Sequence, residues 1–222
     1  DELDRTQVAR IAEASDGNPY ALEELVRTHR ANPGAPLPET VLALVDTRLD
    51  RLGPDSQAVL RAASVFGMRA WPGALEELVH EVDVEGAIEQ LLERELVARA
   101  PTSRFPAEPE LVFRQSLVRE AAYARLTPED RRLGHRLAAG WLERMGEPEP
   151  VTLADHFERG GLPGKAAVHY QRAARQALGG NDFRAAQFRA ERALECIAED
   201  TRAGVAPRPR GQIGALHLAL AE

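Results

Sequence analysis

Six histidines, one cysteine, one lysine and 35 acidic residues are what this chain offers for chemistry. Gly164-Lys165 has the end of a phosphate loop, but such a loop needs glycine five residues before its own Gly-Lys and Ser or Thr after it. Arg159 and Ala166 hold those places, and no strand precedes them. His156-Phe157-Glu158 lacks the second histidine, four residues on, that a helical zinc site requires. The histidines are scattered and read as helix-surface groups in structural roles. There is no G-x-S-x-G, no cysteine–histidine pair with partners, and no cluster of ligands with metal spacing. Cys196, beside Ala193, Leu194 and Ile197, reads as a core residue. The carboxylates stand four residues from arginines, as on solvated helix faces. By itself the chain therefore reads as no enzyme, with no catalytic and no metal-binding residue.

The totals narrow the field further. With 222 residues the chain has room for one large or two small domains, and 44% hydrophobic residues suffice for a core. Aromatics at 5% are few, so helix contacts must rest on Ala and Leu. A net charge of −7 and a pI of about 5.5, with no basic tail, argue against a nucleic-acid partner. No run of 18 apolar residues and no signal peptide is present. No membrane partner is expected, and a cytoplasmic location is the default. The chain opens at Asp1 inside one helical pattern and closes at Glu222 inside another, and so reads as a piece of a longer protein.

The element that organises the rest is residues 113–126. On a helical wheel Leu117, Val118, Ala121, Ala122 and Leu126 share one side, and Arg119, Glu120 and Tyr123 the other. Before it, helices are expected over 4–14 (Val8, Ile11 and Ala12 inward) and from Pro19, capped by Asn18 (Leu22, Leu25 and Val26 inward). A linker at 31–36 leads to a helix from Pro38, with Leu42, Val45, Leu49 and Leu52 in its stripe. Further helices come from Asp55, over 74–81 and from about Val84, then strands at 96–99 and 111–113 around a turn with three prolines. Three helices and a two-stranded hairpin are the layout of a winged helix, at about 54–114.

Beyond the pivot the chain reads as helix after helix. Thr127 caps, and Pro128 opens, a helix over 128–145 with Leu133, Leu137, Ala138, Trp141 and Leu142 inward. Others are expected at about 152–160, 163–178 and 182–198, with a loop at 201–210 and a last helix from Ile213. Gly160, Ala166 and Ala173 are echoed at the same spacing by Gly180, Ala186 and Ala193. Small residues so placed let antiparallel helices approach, as tetratricopeptide-like repeats require. Phe157, Tyr170 and Phe183 are the expected packing and protein-binding residues of these repeats, with Tyr170 inserted between helices. The fold class expected is mainly α: a helical lid tail at 1–36, a winged-helix unit with a small β-hairpin at 37–127, and tetratricopeptide-like helix pairs at 128–222.

Several segments in combination resemble one family. Gly17-Asn18-Pro19-Tyr20-Ala21-Leu22-Glu23-Glu24-Leu25 is similar to the segment that closes the helical lid of bacterial STAND-type AAA ATPases. Leu37-Pro38-Glu39-Thr40-Val41 and Ala62-Ala63-Ser64-Val65-Phe66-Gly67 resemble the family's next segment, and 113–123 resembles its FRHxLVREAAY motif. Segments 134–138, 153–160 and 170–177 look like the start of its tetratricopeptide region. The likeness is greatest to multidomain bacterial serine/threonine kinases that carry this ATPase; LuxR-type regulators and cyclases share the module.

The resemblance implies a nucleotide switch. Asn18 and Pro19 would lie near the adenine. The position of Gln115 is that of a histidine that contacts the phosphates of ADP in relatives, and glutamine there is uncharged. ATP or ADP with magnesium would belong to the parent protein, with no cofactor in this chain. The expected partners are the parent's ATPase core and a protein or small-molecule ligand on the repeats. The alternative is a winged-helix module that binds DNA; against it stand Glu85, Glu89, Glu93 and Glu95 with a single Arg94 on the candidate recognition helix.

Overall fold

The computed structural model describes residues 41–202 and, ahead of them, Val8, Ile11, Ala12, Ser15, Leu22, Leu25, Val26 and Arg27. Asn18, Pro19 and the helix expected from Ile213 lie outside the described residues. So does the side chain of Leu42. Among the described residues, nine helices and three strands lie along 41–202. The chain is mainly helical, with one small antiparallel sheet.

Helix α1 (Val41–Asp50) buries Val45 and Leu49 on the core side. Its Leu44 instead meets Ile11 and Leu25 in a separate small cluster. Val8, Ala12 and Leu22, expected inward, are exposed; among the described residues only one side of each early segment meets α1. Helix α2 (Pro54–Val65) starts at a proline in the first turn, where a missing N–H costs nothing. Gly67, at φ +98°, then turns the chain into strand β1 (Arg69–Ala70). Helices α3 (Pro72–Leu78) and α4 (Val84–Glu93) come next, α4 capped by Asp83 accepting from the Gly86 amide at 3.0 Å.

Strands β2 (Val97–Arg99) and β3 (Leu111–Phe113) form the expected hairpin, but the sheet has a third strand. β3 is central, pairing Val112 with Arg69 on one side and with Ala98 on the other. At two residues β1 is too short to show any alternation in sequence. The order α2–β1–α3–α4–β2–β3 with β3 in the middle is that of a winged helix. Its core gathers Val59, Leu60, Leu75, Leu91, Leu111 and Phe113.

Helix α5 (Ser116–Ala124) lays Val118, Ala121 and Ala122 on that core. Helix α6 (Pro128–Arg144) begins as expected: the Thr127 hydroxyl accepts from the Asp130 amide at 3.1 Å. Its buried face is Gly134, His135, Ala138, Ala139, Trp141 and Leu142. Leu133, expected inward, is 54% exposed, because Gly134 takes the contact with α2. A Cβ on Gly134 would stand 3.1 Å from a Val65 methyl, so the two helices meet across a missing side chain.

Helices α7 (Pro150–Arg159), α8 (Pro163–Gly179) and α9 (Phe183–Arg202) are joined by three-residue connections, which makes neighbours antiparallel. Ala166, Ala167, Ala174, Ala190 and Ala193 pack between them. The two sequence echoes differ in cause. A Cβ on Gly160 would lie 2.9 Å from the Arg136 backbone, whereas Gly180 has only ordinary contacts and simply ends α8.

The winged helix and the helix pairs share a core. Trp71 stacks on Trp141 at 5.4 Å, Phe105 reaches both rings at 5.0 and 5.4 Å, and Phe66 stands edge-on to both indoles. The proline-rich turn of the hairpin is therefore no free loop; it inserts Phe105, 4% exposed, into the second core. The chain's two tryptophans both sit here. Tryptophan fluorescence thus reports on this junction, and far-ultraviolet circular dichroism on the whole helical chain. The two melting curves are expected to coincide. Trp71→Ala should cost about 3–5 kcal/mol and shift both transitions together; a separate low-temperature transition confined to fluorescence would show the units to unfold independently.

Candidate functional site

Three helices converge on a small polar hollow at the junction. Helix α7 presents Thr152, Asp155, His156 and Arg159, spaced by three, one and three residues and so on one face. Helix α5 contributes Arg119 and Tyr123, one turn apart, and α6 contributes His135. Ser64 and Gly67, at the end of α2 and just past it, complete the wall of a cavity of about 180 Å³.

Its floor is a hydrogen-bonded chain. The Tyr123 hydroxyl lies 2.8 Å from His135 Nε2, and His135 Nδ1 lies 3.0 Å from His156 Nδ1. The rings are 3% and 7% exposed, so the histidines are not the surface groups that the sequence suggested. Burial is the main cause that holds His135 down at about 4; Arg159 adds to it. Burial likewise holds His156 down at about 3, aided by its neighbour His135 and by Arg159. Both are neutral at pH 7, which is what a direct contact between two imidazole nitrogens requires: one donates and the other accepts. Arginines flank the Tyr123 ring, Arg131 at 4.8 Å and Arg119 at 5.9 Å from its centroid.

Neighbouring polar groups hold the helices in register. Tyr170 is buried, and its hydroxyl lies 2.6 Å from Asp155 Oδ1 and 2.7 Å from Glu158 Oε2. Burial first, and these carboxylates next, push its phenol well above the ordinary range. Glu158 also pairs with Arg192 of α9, so one network joins α7, α8 and α9. Phe157, 1% exposed, stacks on His169 at 5.3 Å with Lys165 Nζ 4.9 Å from its centroid. Burial outweighs Glu143, 3.3 Å away, and keeps the His169 imidazole below its usual value.

Of the residues singled out in the sequence, Phe157 and Tyr170 pack inside the helix pairs. Phe183 does not: it is 59% exposed. It is the first residue of α9, and a helical side chain leans toward the N-terminus, here past the end of α8. Gln115 occupies the N-cap position of α5, half-buried, and its side chain makes no capping hydrogen bond. Cys196 is buried, and burial pushes its thiol up to about 12, which leaves it unreactive. The Tyr123–His135–His156 chain escaped the sequence reading. The signal was there, since His135 precedes Ala138 and Ala139, and His156 comes after Leu153, by the spacings of an inward face.

A larger hollow of about 420 Å³ lies between α2, α3 and α6, where Leu78, Leu126 and Leu133 give it an apolar wall. Among the described residues no group of three or more His, Cys, Asp or Glu is placed to hold a metal ion. Nor is any helix among them long and apolar enough to cross a membrane.

The buried histidines make stability depend on pH. Their folded values lie below the unfolded value of about 6.5, so in acid the unfolded chain binds the extra protons. Stability is full above pH ~6.5 and falls as pH drops toward the folded values, by up to about 2.7 kcal/mol per pH unit for the pair. His169 acts in the same direction. Glu110, held below 4.5 by Arg104 and Arg69 against burial, adds its loss only below that. Denaturant melts from pH 7 to 5 should show this slope, and His135→Gln/His156→Gln should remove most of it; an unchanged slope in the double variant would place the titration elsewhere.

The sequence matches no protein-family model, and no curated protein or solved structure was found that matches it.

Proposed function

We propose that this chain is a regulatory and protein-interaction segment of a nucleotide-switched STAND-type ATPase, of the kind carried by multidomain bacterial serine/threonine kinases. In this reading the winged helix docks on the parent's ATPase core, in the cytoplasm, and the helix pairs receive a protein or small-molecule ligand. ATP or ADP with magnesium binds in the parent, outside this chain. A LuxR-type regulator or a cyclase with the same module would use the segment in the same way.

The observation that carries the reading is a winged-helix layout continuous with stacked helix pairs, whose third helix is acidic. Glu85, Glu89 and Glu93 on α4 are exposed, and Glu89 pairs with Arg99 of β2. Duplex phosphates would be repelled along that helix. The hairpin turn, which in a DNA-bound winged helix would be free to reach a groove, is held by Phe105 in the second core. These features favour a protein-facing role over duplex recognition.

Gln115 tests the nucleotide part. A charge-assisted hydrogen bond contributes about 1.5–3 kcal/mol, against about 0.5–1.5 for a neutral one. Gln115→His in the full-length parent should therefore tighten ADP binding about fivefold, since roughly 1 kcal/mol separates the two. ATP affinity should change less, because in the family this helix swings away in the open form. Calorimetry on both proteins decides. Equal ADP affinities, with both proteins folded, would remove Gln115 from the site; a parent that binds neither nucleotide would end the reading altogether.

A further inference from the structure

We propose that the cavity between α5, α6 and α7 is a binding site for a compact oxyanion, a phosphate group or a small dicarboxylate, gripped by Arg119 and Arg159. Its volume, about 180 Å³, is below the roughly 300 Å³ at which sites for larger organic ligands begin. It suits a phosphate-sized group and not a nucleotide.

Charge sets the ligand's sign. Two guanidiniums line the cavity against one carboxylate, Asp155, which already accepts from Tyr170. Arg69, Arg99, Arg104, Arg125, Arg144 and Arg192 each reach a carboxylate. Arg159, like surface arginines such as Arg172 and Arg175, reaches none among the described residues, but it alone of these lines the cavity beside the two buried histidines. Arg119 has only Glu120 of its own helix, at 3.5 Å. Planar guanidinium forks match the oxygen spacing of phosphate and carboxylate groups.

Two further polar groups open onto the cavity. His156 is 7% exposed and lines the cavity, and its Nδ1 is taken by His135, yet its Nε2 has no partner among the described residues. The Thr152 hydroxyl is likewise unpartnered there. The histidine chain can supply a donor. With the Tyr123 O–H donating to His135 Nε2, and His135 Nδ1–H to His156 Nδ1, the remaining hydrogen of His156 sits on Nε2, toward the cavity. The reverse orientation puts a lone pair there. An anion selects the first, and by bridging Arg119 and Arg159 it ties α5 to α7.

The test is calorimetry on the 222-residue chain with inorganic phosphate and, separately, with succinate. Arg119→Gln and Arg159→Gln are compared with Arg175→Gln, a change of an exposed arginine on α8 outside the cavity. Each cavity variant should bind about tenfold more weakly or worse, having lost a charge-assisted contact, while the control binds like wild type. Circular dichroism confirms that each variant is folded. In parallel, ¹⁵N spectra of the wild type should show His156 Nε2 becoming protonated, and shifting, on saturation with the anion. Binding of phosphate assigns the site to phosphoryl groups and binding of succinate to organic acids; either sustains it. The proposal is overturned if wild type binds neither anion, if folded cavity variants bind as tightly as wild type, or if the His156 signal does not move.

Discussion

The stack of Trp71 on Trp141, with Phe66 and Phe105 closing around it, is the contact on which the arrangement of the helices depends. Among α7, α8 and α9 many of the contacts are made by alanine, which permits close approach but specifies little about rotation or sliding. Large rings do the reverse: each has one comfortable seat, and two phenylalanines packed on a tryptophan stack fix the angle between the bodies that carry them. These rings come from just after α2, from the start of α3, from the hairpin turn and from α6. They set where α6 lies against the winged helix, and through α6 they set the hollow in which Tyr123, His135 and His156 meet.

Two buried carboxylates stand on either side of Arg104, one inside the winged helix and one across the junction. Glu110 accepts from the Arg104 amide at 2.8 Å and pairs with Arg69 across the sheet. Glu147, in the turn after α6, pairs with Arg104 Nη1 at 2.8 Å and accepts from the Glu149 amide. A buried carboxylate is costly unless its oxygens are filled, and here each has two donors. Arg104 therefore serves both units, its amide to the sheet and its guanidinium to the helix pairs. The hairpin turn is pinned at its tip by charge and at its middle by Phe105, so the wing belongs mechanically to the repeats.

Local signals in the sequence account for the helices well. Pro128 after Thr127, the glycines after α7 and α8, and the stripe Val118-Ala121-Ala122 each state a boundary or a face in a few residues. The features that were not legible depend on pairing at a distance. β1 exists because β3 offers it a partner, not because two residues favour a strand. Leu133 and Phe183 fit an inward pattern, and are exposed because Gly134 and the end of α8 settle which turn is covered. The histidines looked scattered because they are 21 residues apart in the chain and 3.0 Å apart in space. Gln115 stands at the head of α5, and its side chain makes no capping hydrogen bond there.

The contacts on the two sides of the winged helix differ in kind. The aromatic junction buries several large side chains, each contributing about 1.5–3 kcal/mol, and it excludes water. On the other side of the winged helix, Ile11 and Leu25 pack on Leu44, and Arg27 pairs with Glu95 at 3.1 Å. That ion pair is about half exposed on both sides, so salt screens it and its net contribution is small. Arg125, which reaches Asp46 and Asp50 of α1, adds pairs with exposed carboxylates. Separating the winged helix from the helix pairs would open the tryptophan stack and take Arg104 from the buried Glu147. The winged helix and the helix pairs are thus tied into one body by buried contacts.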